Sequence, residues 1–201
     1  MPIMTRPDVS VRLITPPEVV PLRHAVLWPS IPIDKQLMDY DTFSTTRHVG
    51  AFLRRSPTPA SGPAAGPSSS PAGHDDTGPL VGVLTLTLER YPSSAPLPAH
   101  VTDSAPTRHI QLHKFAVATE LQGAGIGRKM YEYVRELLAA DDEGVTLLHL
   151  DARKSQRGLY GRLGVQVLDE GVRIKRGPGD AGPPTEYIRM GEIVRPKGHA
   201  S

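Results

Sequence analysis

Three glycines at alternate positions, Gly123, Gly125 and Gly127, separate an apolar run from a segment with helically spaced apolar residues. Such a turn between a strand and a helix exposes backbone N–H groups at the positive end of the helix dipole, which suits a phosphate or pyrophosphate. The simpler interpretation is that the glycines only allow a tight turn. The spacing of the loop must therefore distinguish between ligands.

Two common phosphate-binding patterns do not fit this loop. A P-loop ends in Gly-Lys-Ser or Gly-Lys-Thr, but Arg128 stands five positions after Gly123, and that signature occurs nowhere in the chain. The dinucleotide fingerprint G-x-G-x-x-G also fails, because Arg128 and Met130 occupy the positions required for its last glycine. The spacing therefore disfavours ATP, NAD and FAD.

The histidine spacing and the absence of cysteine limit the possible metal sites and covalent intermediates. His109 and His113 are four residues apart, which in a strand is about 13 Å and too far for a shared metal ion. The chain has no cysteine, which excludes disulfides, thiolate metal sites and an acyl-cysteine intermediate. We predict no metal site.

Charge and hydropathy give no sign of a polyanionic or membrane partner. Lys and Arg number 23 against 21 Asp and Glu, a formal charge of +2, so composition does not favour nucleic-acid binding. The first residues lack the apolar core of a signal peptide, and no segment approaches the roughly 20 apolar residues that span a bilayer. We expect a cytoplasmic protein.

Alternating strands and helices must position the glycine loop. Thr15 followed by two prolines predicts the start of the first helix, and Gly164 predicts the end of a later one. The predicted strands are 10–15, 48–53, 80–89, 110–118, 145–150, 165–174 and 185–194. The predicted helices cover residues 16 to about 26, 35–40 and 155–163. A further helix is predicted to begin at 126 and to include Met130 and Val134.

Residues 55–79 are almost entirely Pro, Gly, Ser, Ala and Thr. They have too little apolar bulk to offset the entropy of ordering, so we predict a disordered insertion. Strands 48–53 and 80–89 flank it and are expected to pair across it, because loop-closure entropy grows slowly with length. We therefore predict a single domain over 1–201 rather than two.

Two motifs in the correct order resemble the GNAT superfamily of N-acetyltransferases. Gln122-x-x-Gly125-x-Gly127, between a strand and an amphipathic helix, resembles its coenzyme A pyrophosphate loop. Residues 150–165, with Tyr160 and Gly164, resemble its later Asn-Ala-Arg and Tyr-x-x-Leu-Gly segment, although Asp151 replaces the usual Asn. Residues 21–29 and 47–52 also resemble the Leu-Arg-x-x-Val-Leu-Arg-Pro and His-x-Gly-Ala-Phe segments of an uncharacterised branch.

The resemblance implies a fold and a cofactor. The fold is α/β (α+β), with a mixed, mostly antiparallel sheet, helices on both faces, and a V-shaped splay between two central strands. Acetyl-CoA is the implied co-substrate, and the Val117 N–H is the implied polariser of its carbonyl. The implied cofactor-binding residues are Phe115, Ala116, Val117, Gln122, Gly123, Ala124, Gly125, Ile126, Gly127, Arg128 and Lys129. For Arg128 and Lys129, a solvated helix face is an equally good interpretation.

The resemblance also implies catalytic residues. Tyr160 matches a tyrosine that acts as general acid in several members, although a core role with a hydrogen-bonded hydroxyl is the alternative. His113 matches a histidine implicated in amine deprotonation in one member, and histidine suits that task near neutral pH. A regular strand places His113 on the face of Phe115 and Val117, with Lys114 on the other face, and a bulge changes this.

The expected activity is acetyl transfer from acetyl-CoA to a primary amine by direct attack in a ternary complex. A small molecule such as an amino sugar or polyamine is the favoured acceptor, and the protein is expected to be a monomer or homodimer. The alternatives are a peptide or protein acceptor, and a non-catalytic acyl-CoA-binding module. His149 and Asp151, and more weakly Asp39, Asp41 and Glu89, are candidates to line the acceptor pocket.

Overall fold

A computed structural model describes residues 6–54, 77–92, 94, 97–141, 143–176 and 183–198. Its strands are β1 (Val9–Ile14), β2 (Arg47–Arg54), β3 (Thr77–Leu88), β4 (Arg108–Val117), β5 (Thr146–Arg153), β6 (Gln166–Lys175) and β7 (Thr185–Val194). Its helices are α1 (Pro16–Leu27), α2 (Ala99–Thr102), α3 (Ile126–Ala140) and α4 (Arg157–Arg162). No described helix has the length and apolar character needed to cross a bilayer.

The strands form one seven-stranded sheet in the order β1-β2-β3-β4-β5-β7-β6. Neighbours are antiparallel except β4 and β5, which are parallel. Helices cover both faces: Leu84 and Leu86 of β3 pack in the cluster that contains α3, whereas Val83 packs in the cluster that contains α1. The predicted mixed, mostly antiparallel fold is confirmed.

The predicted pairing across the 55–79 segment is confirmed, with a change of boundary. β2 and β3 are antiparallel neighbours, and Arg54 is opposite Thr77 at the base of the hairpin. Residues 77–79 therefore belong to β3, because the ladder continues below the predicted start at 80. The rest of the predicted disordered insertion, 55–76, lies outside the described residues.

The connections differ from the predicted elements in two places. The expected helix over 35–40 is replaced by two 3₁₀ turns, Ile33–Lys35 and Asp39–Thr42. The Asp41 carboxylate accepts a hydrogen bond from the Met38 N–H at 2.7 Å, and such side-chain bonds to the backbone compete with helix formation. The Pro-rich loop after β3 contains α2, whose Val101 is buried beside Leu147.

The start of α1 and the end of α4 lie where the sequence predicts them, although α4 begins at Arg157 rather than 155. The Thr15 backbone N–H and hydroxyl both donate to the Glu18 carboxylate at the start of α1, which lowers the pKa of Glu18. At the other end of the chain, Gly164 has a φ of +90° and donates to the Gly161 carbonyl, while the Val165 N–H donates to the Tyr160 carbonyl. This pattern is a Schellman motif, and it ends α4 one turn after Tyr160.

Candidate active site

The parallel pair β4 and β5 separates part-way along its length. The strands pair from Arg108 opposite Thr146 to Gln111 opposite His149, and the pairing stops there although β4 continues to Val117. From Leu112 to Val117, the β4 edge that faces β5 therefore has backbone N–H and C=O groups outside any ladder with β5. This is the predicted V-shaped splay, and its free strand edge is able to pair with an extended ligand.

The glycine loop closes the wide end of the splay. Gly123 and Gly125 have φ values of +82° and +88°, a left-handed conformation that favours glycine. Gly125 caps α3, so the first amides of the helix point out of its N-terminus without intrahelical partners. A Cβ at Gly123 meets no atom within 4 Å, so the space beside the loop is open. These features suit a bound pyrophosphate.

The side chains near the loop already have protein partners. Gln122 donates to the Val117 carbonyl at 3.1 Å and so ties the loop back to β4. Arg128 donates to the Arg162 carbonyl at 3.1 Å, bridging the N-terminus of α3 to the end of α4. Lys129 pairs with Asp8 at 3.6 Å. Of the predicted cations, Arg128 therefore spans the two helices, and Lys129 is directed to the β1 side.

A bulge in β4 decides which face each side chain takes. Val83 of β3 is opposite Ala116 and Thr85 is opposite His113, so Leu84 alone faces Lys114 and Phe115. Lys114 has a φ of +53°, which is unusual for a residue other than glycine. The expectation for a regular strand was therefore wrong: His113 does not share the face of Phe115 and Val117, both of which lie below Gly127 and α3.

The bulge places His113 on the α1 face beside Glu89. Its Nε2 lies 3.2 Å from Glu89 Oε2 and 3.0 Å from Thr87 Oγ1, and its ring stacks on Tyr40 with centroids 5.1 Å apart. The hydrogen bond from His113 lowers the pKa of Glu89, which keeps this carboxylate ionised. Donation from Nε2–H to Glu89 leaves Nδ1 as the acceptor nitrogen. This arrangement holds an imidazole in the tautomer that a general base requires.

Tyr160 lies on α4, next to the end of β5. It is partly buried against the main core cluster, and burial raises the pKa of its hydroxyl to about 12. A hydroxyl with so high a pKa stays protonated through the neutral range and is available as a proton donor. Tyr160 packs with the cluster on the α3 side of the sheet, whereas His113 lies on the α1 side. Helix α4, which carries Tyr160, follows the β5 arm of the splay, and His113 lies on the β4 arm.

The other predicted acceptor-side residues divide into structural and exposed groups. His149 Nε2 lies 2.9 Å from the Glu89 carbonyl, and burial lowers the pKa of this histidine, consistent with a structural role rather than a place in the acceptor pocket. Asp151 forms ion pairs with Lys175 and with Arg189, 3.7 Å away. Asp39 is exposed. The described residues contain no group of three or more His, Asp and Glu that could hold a metal ion.

A buried ion pair beneath the site escaped sequence analysis. Arg23 and Asp41 are fully buried, and Arg23 also donates to Thr85 Oγ1 at 3.0 Å and to the Gln36 carbonyl at 2.9 Å. The network joins α1, the turns after it and β3 below His113. Asp41 is thus not available to an acceptor. The one signal in the sequence was an arginine at an inward position of an apolar helix, and pattern alone does not identify its partner.

We expect Asp41→Asn to destabilise the protein by about 3 kcal/mol, because it leaves the buried Arg23 charge without its anion. Urea unfolding of the variant and the parent measures this difference. The matched control is Glu170→Gln, which removes an exposed ion pair with Arg157 and is expected to cost less than about 1 kcal/mol. Equal costs for the two substitutions would contradict a structural role for the buried pair.

Comparison with known families agrees with this geometry. Residues 75–167 match the model of the acetyltransferase (GNAT) domain, a segment that includes β3, β4, the glycine loop, α3, β5 and α4. Residues 75–167 are thus similar to a GNAT acetyltransferase domain. The family predicted from the two motifs is confirmed, and with it the assignment as an acyl-CoA-dependent N-acetyltransferase. No curated protein matches the chain significantly.

Solved structures of GNAT proteins share the fold over most of the chain. An IAA acetyltransferase from Bacillus cereus ATCC 14579 has a TM-score of 0.51 at 19% identity, covering 93% of this chain and 100% of that one. Arabidopsis thaliana NAA60 in complex with acetyl-CoA has 0.53 at 15%, covering 93% and 99%. Vibrio cholerae spermidine/spermine N-acetyltransferase SpeG has 0.52 at 13%, covering 93% of both. At these identities the similarity concerns the fold, not the acceptor.

Proposed function

We propose that this GNAT protein transfers the acetyl group of acetyl-CoA to the primary amine of a small molecule, by direct attack in a ternary complex. The observation that carries the proposal is the splay itself. A free β4 edge leads from an open, left-handed glycine loop to a site where His113 and Glu89 lie on one arm and Tyr160 on the other. A cofactor, a base and an acid are thus each provided for.

The residues of the loop and strand hold the donor. Amides from Gln122 through Arg128 surround the pyrophosphate position, and the backbone of Phe115, Ala116 and Val117 pairs with the pantetheine arm, with the Val117 N–H directed at the acyl carbonyl. Acetyl-CoA supplies an acetyl group activated as a thioester. NAA60, which has this fold, has been crystallised with acetyl-CoA.

His113 and Tyr160 handle the protons. An amine attacks only in its neutral form, so His113 Nδ1 accepts a proton from the acceptor ammonium while Glu89 stabilises the resulting imidazolium. As the C–S bond breaks, Tyr160 donates its proton to the departing sulfur, and the second proton of the newly bonded nitrogen passes to the tyrosinate. Since the chain has no cysteine, the transfer proceeds without an acyl-cysteine intermediate.

The decisive experiment measures coenzyme A release from acetyl-CoA with a panel of amino sugars, polyamines, amino acids and short peptides. We expect turnover with at least one small amine and product masses increased by one acetyl group. Activity confined to the peptides would show a peptide acceptor instead. Tight binding of acetyl-CoA without acetylation of any amine would favour a non-catalytic binding module.

Gly125→Ala should weaken acetyl-CoA binding about tenfold, because a Cβ at a φ of +88° costs about 1–2 kcal/mol and shifts the loop amides. Isothermal titration calorimetry measures the change in affinity. Gly198→Ala is the matched control, because its added Cβ meets no atom within 4 Å and its φ is not in the left-handed region. Unchanged affinity in Gly125→Ala would place the pyrophosphate away from this loop.

A further inference from the structure

Lys114 is a cation on the α1 face of the sheet, the face on which His113 also lies. Its ammonium lies 4.3 Å from the centre of the Trp28 ring, at the end of α1. Within the described part of the chain, Lys114 takes part in no ion pair. A partly buried ammonium without an anion is unfavourable, because the aromatic ring replaces only part of its hydration.

The backbone at Lys114 is strained in a way that brings this cation to the site. In a regular strand, the side chains of His113 and Lys114 would point to opposite faces of the sheet. Here, both contact the segment that follows α1: His113 stacks on Tyr40, and Lys114 lies over Trp28. The left-handed φ of +53° at Lys114 makes this possible. Such a conformation costs about 1–3 kcal/mol, which the rest of the fold offsets.

The charges around Lys114 do not compensate it. Asp41 is an acidic residue whose charge favours the ammonium form of Lys114, but its oxygens are bonded to Arg23 and to the Met38 N–H. Lys175 adds a further positive charge, and its own partner, Asp151, is shared with Arg189. Burial, reinforced by these cations, lowers the pKa of Lys114 to about 8. The surroundings therefore favour a bound anion and disfavour a polycation.

An anion at Lys114 is next to the position proposed for the amine. Glu89 and His113 form an acidic and basic pair that suits an ammonium group, and Lys114 is the next residue of the strand, about 3.8 Å away between Cα atoms. We propose that the acceptor is an amino carboxylate, with its amine at His113 and Glu89 and its carboxylate on Lys114. This inference rests on the proposed acetyl transfer, and it argues against the polyamines that the sequence favoured.

Matched pairs of acceptors test the inference. Each pair is an amino acid and the amine that remains when its carboxylate is removed: leucine and isopentylamine, phenylalanine and phenethylamine, ornithine and putrescine. We expect the protein to use at least one amino acid about 10- to 100-fold more efficiently, in kcat/KM, than its partner amine, as a charged hydrogen bond contributes. In Lys114→Met, this preference should disappear through a higher KM, whereas Lys114→Arg should keep part of it.

Lys197→Met, an exposed lysine beyond β7, is the matched control and should retain the preference. If Lys114→Met folds poorly, two measurements on the parent protein still test the inference. They are the ratio of kcat/KM within each pair, and the binding of each pair by calorimetry in the presence of coenzyme A. Equal use of both members of every pair, or a preference for putrescine, would overturn the inference and leave acetyl transfer intact.

Other results would also overturn it. If Lys114→Met changes only the rate of transfer from succinyl-CoA, the carboxylate that Lys114 binds would belong to the acyl donor and not to the acceptor. If the parent protein acetylates no amine, both the proposed acetyl transfer and the amino carboxylate acceptor would be wrong. If it acetylates amino sugars or peptides but no amino acid, only the amino carboxylate acceptor would be wrong.

Discussion

Replacing Tyr160 by phenylalanine is expected to lower kcat by about 10²- to 10⁴-fold, the range typical of general acid catalysis. The substitution keeps the ring that packs against the core and removes only the hydroxyl. Binding of acetyl-CoA, measured by calorimetry, should change by less than about twofold, because the loop that holds it is unaffected. A variant with normal turnover would show that the thiolate leaves without a proton from Tyr160.

The pH profile gives an independent test of the same role. Because burial raises the pKa of Tyr160 to about 12, its proton is lost only at high pH. We therefore expect no loss of kcat between pH 8 and about 10.5 from this group, whereas an unperturbed tyrosine with a pKa of about 10 would lower kcat in that range. Tyr133→Phe is a suitable control, since Tyr133 lies on α3 and has no assigned part in proton transfer.

Replacing His113 by glutamine is expected to lower kcat/KM by about 10²- to 10⁴-fold at neutral pH. Glutamine is able to keep a hydrogen bond to Thr87 or Glu89, but it does not take a proton from the acceptor. As pH rises, the amine loses its own proton and the need for a base declines, so the deficit should shrink steadily towards the pKa of the amine. A deficit that stays constant with pH would indicate positioning alone.

Glu89→Gln separates base strength from position. The carboxylate is expected to stabilise the imidazolium, so its removal should reduce kcat/KM by less than the His113 substitution, by about tenfold. Comparison with His149→Gln provides the control, because His149 is bonded to the Glu89 carbonyl and not to its carboxylate. A larger effect at His149 than at Glu89 would contradict the assigned pair.

Most of the framework follows from local signals in the sequence. Thr15 with its prolines marks the start of α1, Gly164 marks the end of α4, and the spacing of Gly125 and Gly127 distinguishes this loop from a P-loop or a dinucleotide fold. Each of these features depends on the conformation of a few consecutive residues. The same holds for the strands, whose apolar runs are long enough to identify without knowing their neighbours.

Contacts between distant segments decided the rest. The 3₁₀ turns after α1 follow from the Asp41 bond to Met38 and the buried pair with Arg23, and neither is visible in a periodicity pattern. Likewise, the bulge at Lys114 arises because two residues of β4 are opposite one residue of β3. It turns His113 away from Phe115 and towards Glu89. By itself, the sequence determined the GNAT resemblance, the glycine loop and the order of the secondary-structure elements. The tertiary structure decided which side chains lie together on the α1 face, where the acceptor is proposed to bind, because strand register and side-chain burial depend on residues far apart in the chain.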